Sequence, residues 1–119
     1  MKPFMNEDQV ENLVKISQSC SENAFLNDLI ELFSSETLKR ISEIKNAVNK
    51  KDFVQLSKAA RALKACSCYM GAKKLATISK ELEADASEGH IPRNIETIIN
   101  ELEYYYCQSS DYLDTRKVA

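Results

Sequence analysis

The chain has 119 residues, with 16 basic against 18 acidic side chains and a net charge of -2. That length suits one domain with a single core, and the charge balance excludes a general electrostatic pull toward nucleic acid or an anionic membrane. The N-terminal stretch turns acidic at Glu7 and Asp8 before any apolar run develops. Neither a signal peptide nor a spanning segment is therefore expected, and the cytoplasm is the expected compartment.

Only two glycines and two prolines occur, and none lies between Phe4 and Met70. Long helices tolerate that, whereas a sheet with many tight turns does not. A first helix is expected from an Asn6 cap, with Gln9 in the capping-box position, to about Gln18, turning Val10, Leu13, Val14 and Ser17 inward. After the polar break Ser19-Cys20-Ser21, in which Ser21 can act as the cap, a second helix is expected from about Glu22 to Lys50. Its core stripe is Leu26, Leu29, Ile30, Phe33, Thr37, Ile41, Ile44 and Val48, and at 1.5 Å per residue it is roughly 40 Å long. Phe25 and Leu32 fall beside that stripe, either as edge packing or as part of a docking surface.

Asp52 with Gln55 repeats the capping pattern before a third helix that ends at Gly71, where the missing Cβ suits a left-handed cap. On this helix Leu56, Ala59, Leu63, Cys66 and Met70 gather on one side. Val54, Ser57, Lys58, Arg61, Lys64, Ala65 and Cys68 gather on the other, so Arg61 points away from the core. A fourth helix, Ala72 to Ala86, carries Leu75, Ile78 and Leu82 inward, and Ser87 to Ile91 connects it to a fifth with Pro92 at its first position. The fifth carries Ile95, Ile98, Ile99, Leu102, Tyr105 and Tyr106 and fades near Leu113. The expected fold is all-α: an antiparallel up-down four-helix bundle with an additional short N-terminal helix. It forms one domain over 1–119, with a core of about 6–113 and a frayed tail from Asp114 to Ala119.

Most of the chemistry-bearing residues have plain structural uses. Cys66 and Cys68 lie about 200° apart on a helix and cannot share a bridge or a metal, which leaves Cys66 as core filler and Cys68 as a surface thiol. His90, the single histidine, falls in the loop after the fourth helix. Glu81, Glu83 and Asp85 make a solvated face, and Tyr104, Tyr105 and Tyr106 supply core plus rim. No catalytic triad, glycine-rich phosphate loop or metal signature occurs, so no cofactor or metal is implied.

One stretch has a family likeness. Ala60, Leu63, Lys64, Ser67, Gly71, Ala72 and Leu75 fall in register with a motif of alanine, histidine, any residue, Leu-Lys-Gly-Ser and a later Gly-Ala-x-x-Leu. The chain thus resembles the histidine-containing phosphotransfer (HPt) domains, four-helix modules that relay phosphoryl groups between receiver domains. The likeness extends, more weakly, from about Ala24 to Leu102. Three positions depart from the motif: Arg61 replaces the phospho-accepting histidine, Ala65 the glycine after the lysine, and Cys66 the small polar residue beyond it.

The resemblance implies a bundle that has kept its receiver-facing surface and lost its phosphorylation site, a pseudo-HPt protein. The implied partner is the receiver domain of a response regulator or hybrid histidine kinase, bound by a monomer without enzymatic activity, with no nucleic acid or membrane involved. Arg61 then stands at the phosphosite-equivalent position, with Lys58, Lys64, Ala65 and Cys68 around it and Phe25 and Leu32 as apolar rim. A different class of function is a helical adaptor for an unrelated protein. A third is an active phosphotransfer protein that uses another residue, of which His90 is the nearest in kind.

Overall fold

The computed structural model describes residues 4–19 and 23–117, so the cap expected of Ser21 and the position of Cys20 lie outside the described residues. Five helices and no strand occur among the described residues: α1 (Glu7–Ser19), α2 (Asn23–Lys50), α3 (Phe53–Tyr69), α4 (Lys73–Ser87) and α5 (Ile95–Asp114). The last four close a ring in which α2 packs on α3, α3 on α4, α4 on α5 and α5 back on α2. Short connections make neighbours antiparallel. The molecule is 46 Å long, close to the length of α2 itself. No described helix is long and apolar enough to cross a membrane.

The core follows the apolar spacing. Leu26, Ile30, Phe33, Ile41, Ile44 and Ala47 of α2 meet Leu56, Ala60 and Leu63 of α3, Leu75 and Leu82 of α4, and Ile99, Leu102 and Leu113 of α5 in one cluster. The buried arc of α3 is rotated slightly from the expected one. Ala60 and Ser67 are fully enclosed, whereas Cys66, expected as core filler, is only half-buried. The cause is that α3 is flanked by both α2 and α4, so small residues on its α4 side are enclosed as well.

The helix ends are set by specific groups. The Asp52 carboxylate accepts from the Gln55 N–H at 3.0 Å, and Lys51 takes a left-handed φ of +54° that brings the Asp52 N–H to the Ala47 carbonyl at 2.9 Å. Asn6 caps α1 by accepting from the Gln9 N–H at 3.2 Å. The Gln9 side chain does not complete a capping box, because it donates to the Tyr69 carbonyl of α3 at 2.8 Å. Pro92 also departs from expectation. It lies in a turn whose carbonyl accepts from the Ile95 N–H at 3.2 Å, and α5 starts at Ile95, three residues later than a proline at its first position requires. Beyond Asp114, where a loose tail is expected, the Arg116 guanidinium pairs with Glu11 of α1.

The turn between α3 and α4 joins α1 to the bundle. Gly71 has φ +78°, its carbonyl accepts from the Asn6 N–H at 2.6 Å, and the Lys74 N–H donates to the Phe4 carbonyl at 3.3 Å. A Cβ at Gly71 would stand 2.9 Å from the Asn6 carbonyl oxygen and 3.1 Å from a Val10 methyl, whereas one at Gly89, also at positive φ, would meet nothing within 4 Å. Both Gly71→Ala and Gly89→Ala are expected to bear the left-handed cost of about 1–2 kcal/mol. Only Gly71→Ala should lose more, by forcing α1 off the bundle. Urea midpoints that rank Gly89→Ala as the more damaging would contradict this role for Gly71.

Candidate functional site

Arg61 sits in the middle of α3, exposed, and pairs with no carboxylate among the described residues. Two cross-links to α4 bracket its level. One turn before it, the Ser57 and Ser87 hydroxyls lie 3.3 Å apart. Three residues after it, the Lys64 ammonium donates to Glu83 at 2.7 Å. The backbone under Arg61 is therefore held against α4 while its guanidinium stands in solvent.

The Lys64 pair corrects one expectation. Glu83 is not a solvated carboxylate: the Lys64 and Glu83 side chains are 33% and 20% exposed, and each neutralises the other. Helical spacing puts Lys64 and Glu83 on their helices' outer arcs, but it cannot show that α3 and α4 approach closely enough for the two to meet. Lys58, Ala65 and Cys68 are exposed as expected.

Leu32 and Phe25 lie progressively farther from Arg61 along the bundle. Burial pushes the half-buried Cys66 thiol up, opposed by the neighbouring Thr37 hydroxyl, with Glu36 raising it further and Arg40 lowering it, which places Cys66 level with Thr37 of α2. Arg61 lies five residues from Cys66 toward the α2–α3 turn, and Leu32 lies five residues from Thr37 in the opposite direction. At 1.5 Å per residue Leu32 is roughly 15 Å, and Phe25 roughly 25 Å, from Arg61 along the bundle. Leu32 is 55% exposed and Phe25 half-buried. On the same α2 edge Arg40 is held by Glu36 at 3.2 Å and Glu43 at 2.9 Å, while Lys39 is exposed.

The seam between α3 and α4 opens instead into two surface hollows of about 400 Å³ and 420 Å³, one on either side of Arg61. The first is lined by Lys64, Cys68, Lys73, Ala76, Thr77 and Lys80. The second includes Val54, Ser57, Lys58 and Gly89. Lys73, Thr77 and Lys80 are not among the residues that the motif singles out, although their spacing of four and then three residues marks one face of α4. His90 is exposed in the connection at the end of the bundle, its N–H donating to the Asp85 carbonyl at 2.9 Å.

A family model described as Hpt domain matches residues 28–105, well over half of the chain. Among solved structures the chain is similar to the histidine-containing phosphotransfer protein B (HptB) from Pseudomonas aeruginosa PAO1, with a TM-score of 0.86 and 20% identity over 98% of this chain and 96% of that one. No curated protein matches the sequence. At this identity the solved structure bears on the fold, and it extends over α1 as well as the four bundle helices.

The motif divides into a buried half and an exposed half. Ala60, Leu63, Ser67, Ala72 and Leu75 are fully enclosed, and Gly71 is buried in its turn. Arg61 and Ala65 face solvent. Leu63→Ala is accordingly expected to cost about 2–5 kcal/mol as a core truncation, and Arg61→Ala less than about 0.5 kcal/mol. Urea unfolding checks the pair, and comparable losses would mean that α3 faces otherwise.

Proposed function

Because the chain belongs to the Hpt domain family, we propose that it serves phosphorelay signalling as a non-catalytic, receiver-binding member that does not carry phosphate. The observation that carries this reading is Arg61, exposed in mid-helix at the position where the family motif has its histidine. Phosphoryl acceptance needs a nitrogen with an available lone pair. A guanidinium stays protonated at any relevant pH and offers none. Ala65 adds a methyl group one turn further on, exposed on the same face, where the motif leaves space with glycine.

What Arg61 does offer is a rigid fork of donors. The partner implied by the family, a receiver domain, presents a pocket of acidic side chains that holds a divalent cation and the phospho-accepting aspartate. A docked Arg61 can pair with those carboxylates in two-pronged fashion. Its charge is fully available to a partner, whereas that of Lys64 is already taken by Glu83. Metal or phosphate in the receiver's pocket would compete for or neutralise the same carboxylates, so the magnesium-free, unphosphorylated receiver should be the preferred form.

A second reading rests on a different surface. Phe4, Lys74, Tyr104, Tyr105 and Gln108 line a hollow of about 400 Å³ where α5 meets the start of α4. Tyr104 is 58% exposed there, and the Lys74 ammonium lies 5.8 Å from the Tyr105 ring. An adaptor for an unrelated protein would use this aromatic surface and be indifferent to Arg61.

Incubation with a phosphorylated receiver is expected to leave the chain unlabelled. Acid-labile phosphate that disappears in His90→Ala would instead establish an active carrier with a displaced acceptor. Arg61→Glu is expected to weaken receiver binding by more than about 1.4 kcal/mol, a factor of ten, because it sets like charges together in a desolvated contact. Titration calorimetry of both proteins with and without magnesium measures this. Equal affinities throughout would remove Arg61 from the interface and favour the adaptor.

A further inference from the structure

We infer that the receiver's acidic face is seated along the α3–α4 seam, with Lys80 and Lys73 as a second cationic anchor beside Arg61. This deepens the receiver-binding reading and rests on it. Uncompensated positive charge is concentrated on that seam. The protein is acidic overall, with a net charge of -2, yet Lys58, Arg61, Lys73 and Lys80 are all exposed there and pair with no carboxylate among the described residues. Glu83, the carboxylate that reaches into this seam, is already occupied by Lys64. On the α2 edge Arg40 is shared between Glu36 and Glu43, which leaves Lys39 as its exposed cation against four along the seam.

Distance and shape agree with charge. Glu83 meets Lys64, three residues past Arg61, and Lys80 is three residues further along α4 in the same direction. Lys80 is therefore roughly 9 Å from Arg61 along the bundle, nearer than Leu32 at roughly 15 Å, with Lys73 roughly 20 Å away. Between Lys80, Lys73 and the α3 wall the surface is concave, a hollow of about 400 Å³ in which Ala76 and Thr77 form the α4 side and Cys68 part of the α3 side. Small side chains at its base let an acidic loop or helix end approach while the two lysines close on it from the rim. The contact is largely electrostatic, so it should govern encounter rate and orientation as much as affinity.

A polyanion such as a single-stranded nucleic acid could use the same lysines. The acidic overall charge argues against it, because a chain of phosphates would be repelled by the surface outside the seam.

The test uses the full chain and purified receiver domains from the source organism, titrated calorimetrically without magnesium. Four proteins are compared: wild type, the double variant Lys73→Glu with Lys80→Glu, Leu32→Ser, and Arg61→Glu. The double reversal is expected to weaken binding about tenfold or more and to flatten its dependence on salt, with Leu32→Ser changing it less than about twofold. Both lysines are exposed, and a glutamate at the first residue of α4 suits the helix dipole, so a melting curve should show the fold intact. Loss of binding in Leu32→Ser with the double reversal unchanged would overturn the seam. So would loss in Arg61→Glu alone, although the receiver-binding reading would then survive. Binding unchanged in every variant, or a wild-type chain that takes up an oligonucleotide and no receiver, would overturn both.

Discussion

The turn at Gly71 is the constraint on which the rest of the structure depends. Its positive φ lets α3 stop and α4 start within three residues, and the absence of a Cβ lets the Asn6 carbonyl oxygen come to within 2.9 Å of where one would stand. The same residue's carbonyl caps the entry of α1. One position therefore bears on two things, the register of α3 against α4 and the docking of α1 over the bundle end. That register sets Lys64 opposite Glu83 and Ser57 opposite Ser87, and it leaves Arg61 standing between two tethers. Had the turn been one residue longer, the seam would present a different set of charges.

The motif shared with the family separates into residues that the fold needs and residues that the fold ignores. Ala60, Leu63, Ser67, Gly71, Ala72 and Leu75 are enclosed, and changing them carries the cost of a cavity, a clash or a strained backbone. Arg61 and Ala65 are solvent-facing, where substitution is nearly free in stability. A bundle of this kind can carry an arginine at the exposed position 61 of α3 without any compensating change in the core. Cys66 fits the same division, since its half-buried place between α2 and α3 tolerates a thiol in the position of a small polar residue.

Periodicity reports the direction of a side chain about its own helix axis, so the five helices, the Asp52 and Asn6 caps and the outward aim of Arg61 are all legible in the sequence. It says nothing of how two helices are displaced along each other, and most departures arise there. Gln9 has the spacing of a capping box, yet its side chain bonds Tyr69 sixty residues away. Glu83 reads as solvated because its partner, Lys64, belongs to another helix. Phe25 and Leu32 share one edge of α2 in projection, but their distance from Arg61 along the axis depends on Cys66 and Thr37 being level, which no single helix encodes. Pro92 is a different case. Proline suits the first turn of a helix, but it suits the preceding turn equally well, and the chain uses the second option.

An arginine in place of a histidine also changes how the surface responds to its surroundings. A histidine near neutral pH gains and loses its charge over the physiological range, so contacts made through it vary with pH and with phosphorylation. A guanidinium does not exchange protons over that range, and Lys64 and Glu83 neutralise each other beside Arg61. The seam therefore presents a constant charge, and any switching must come from the partner. For a receiver this is a direct consequence of its own chemistry, because its carboxylates are exposed when metal and phosphate are absent and neutralised or blocked when they are present. On the proposed receiver-binding reading, a bundle with fixed positive charge would distinguish the two states of the receiver without changing state itself.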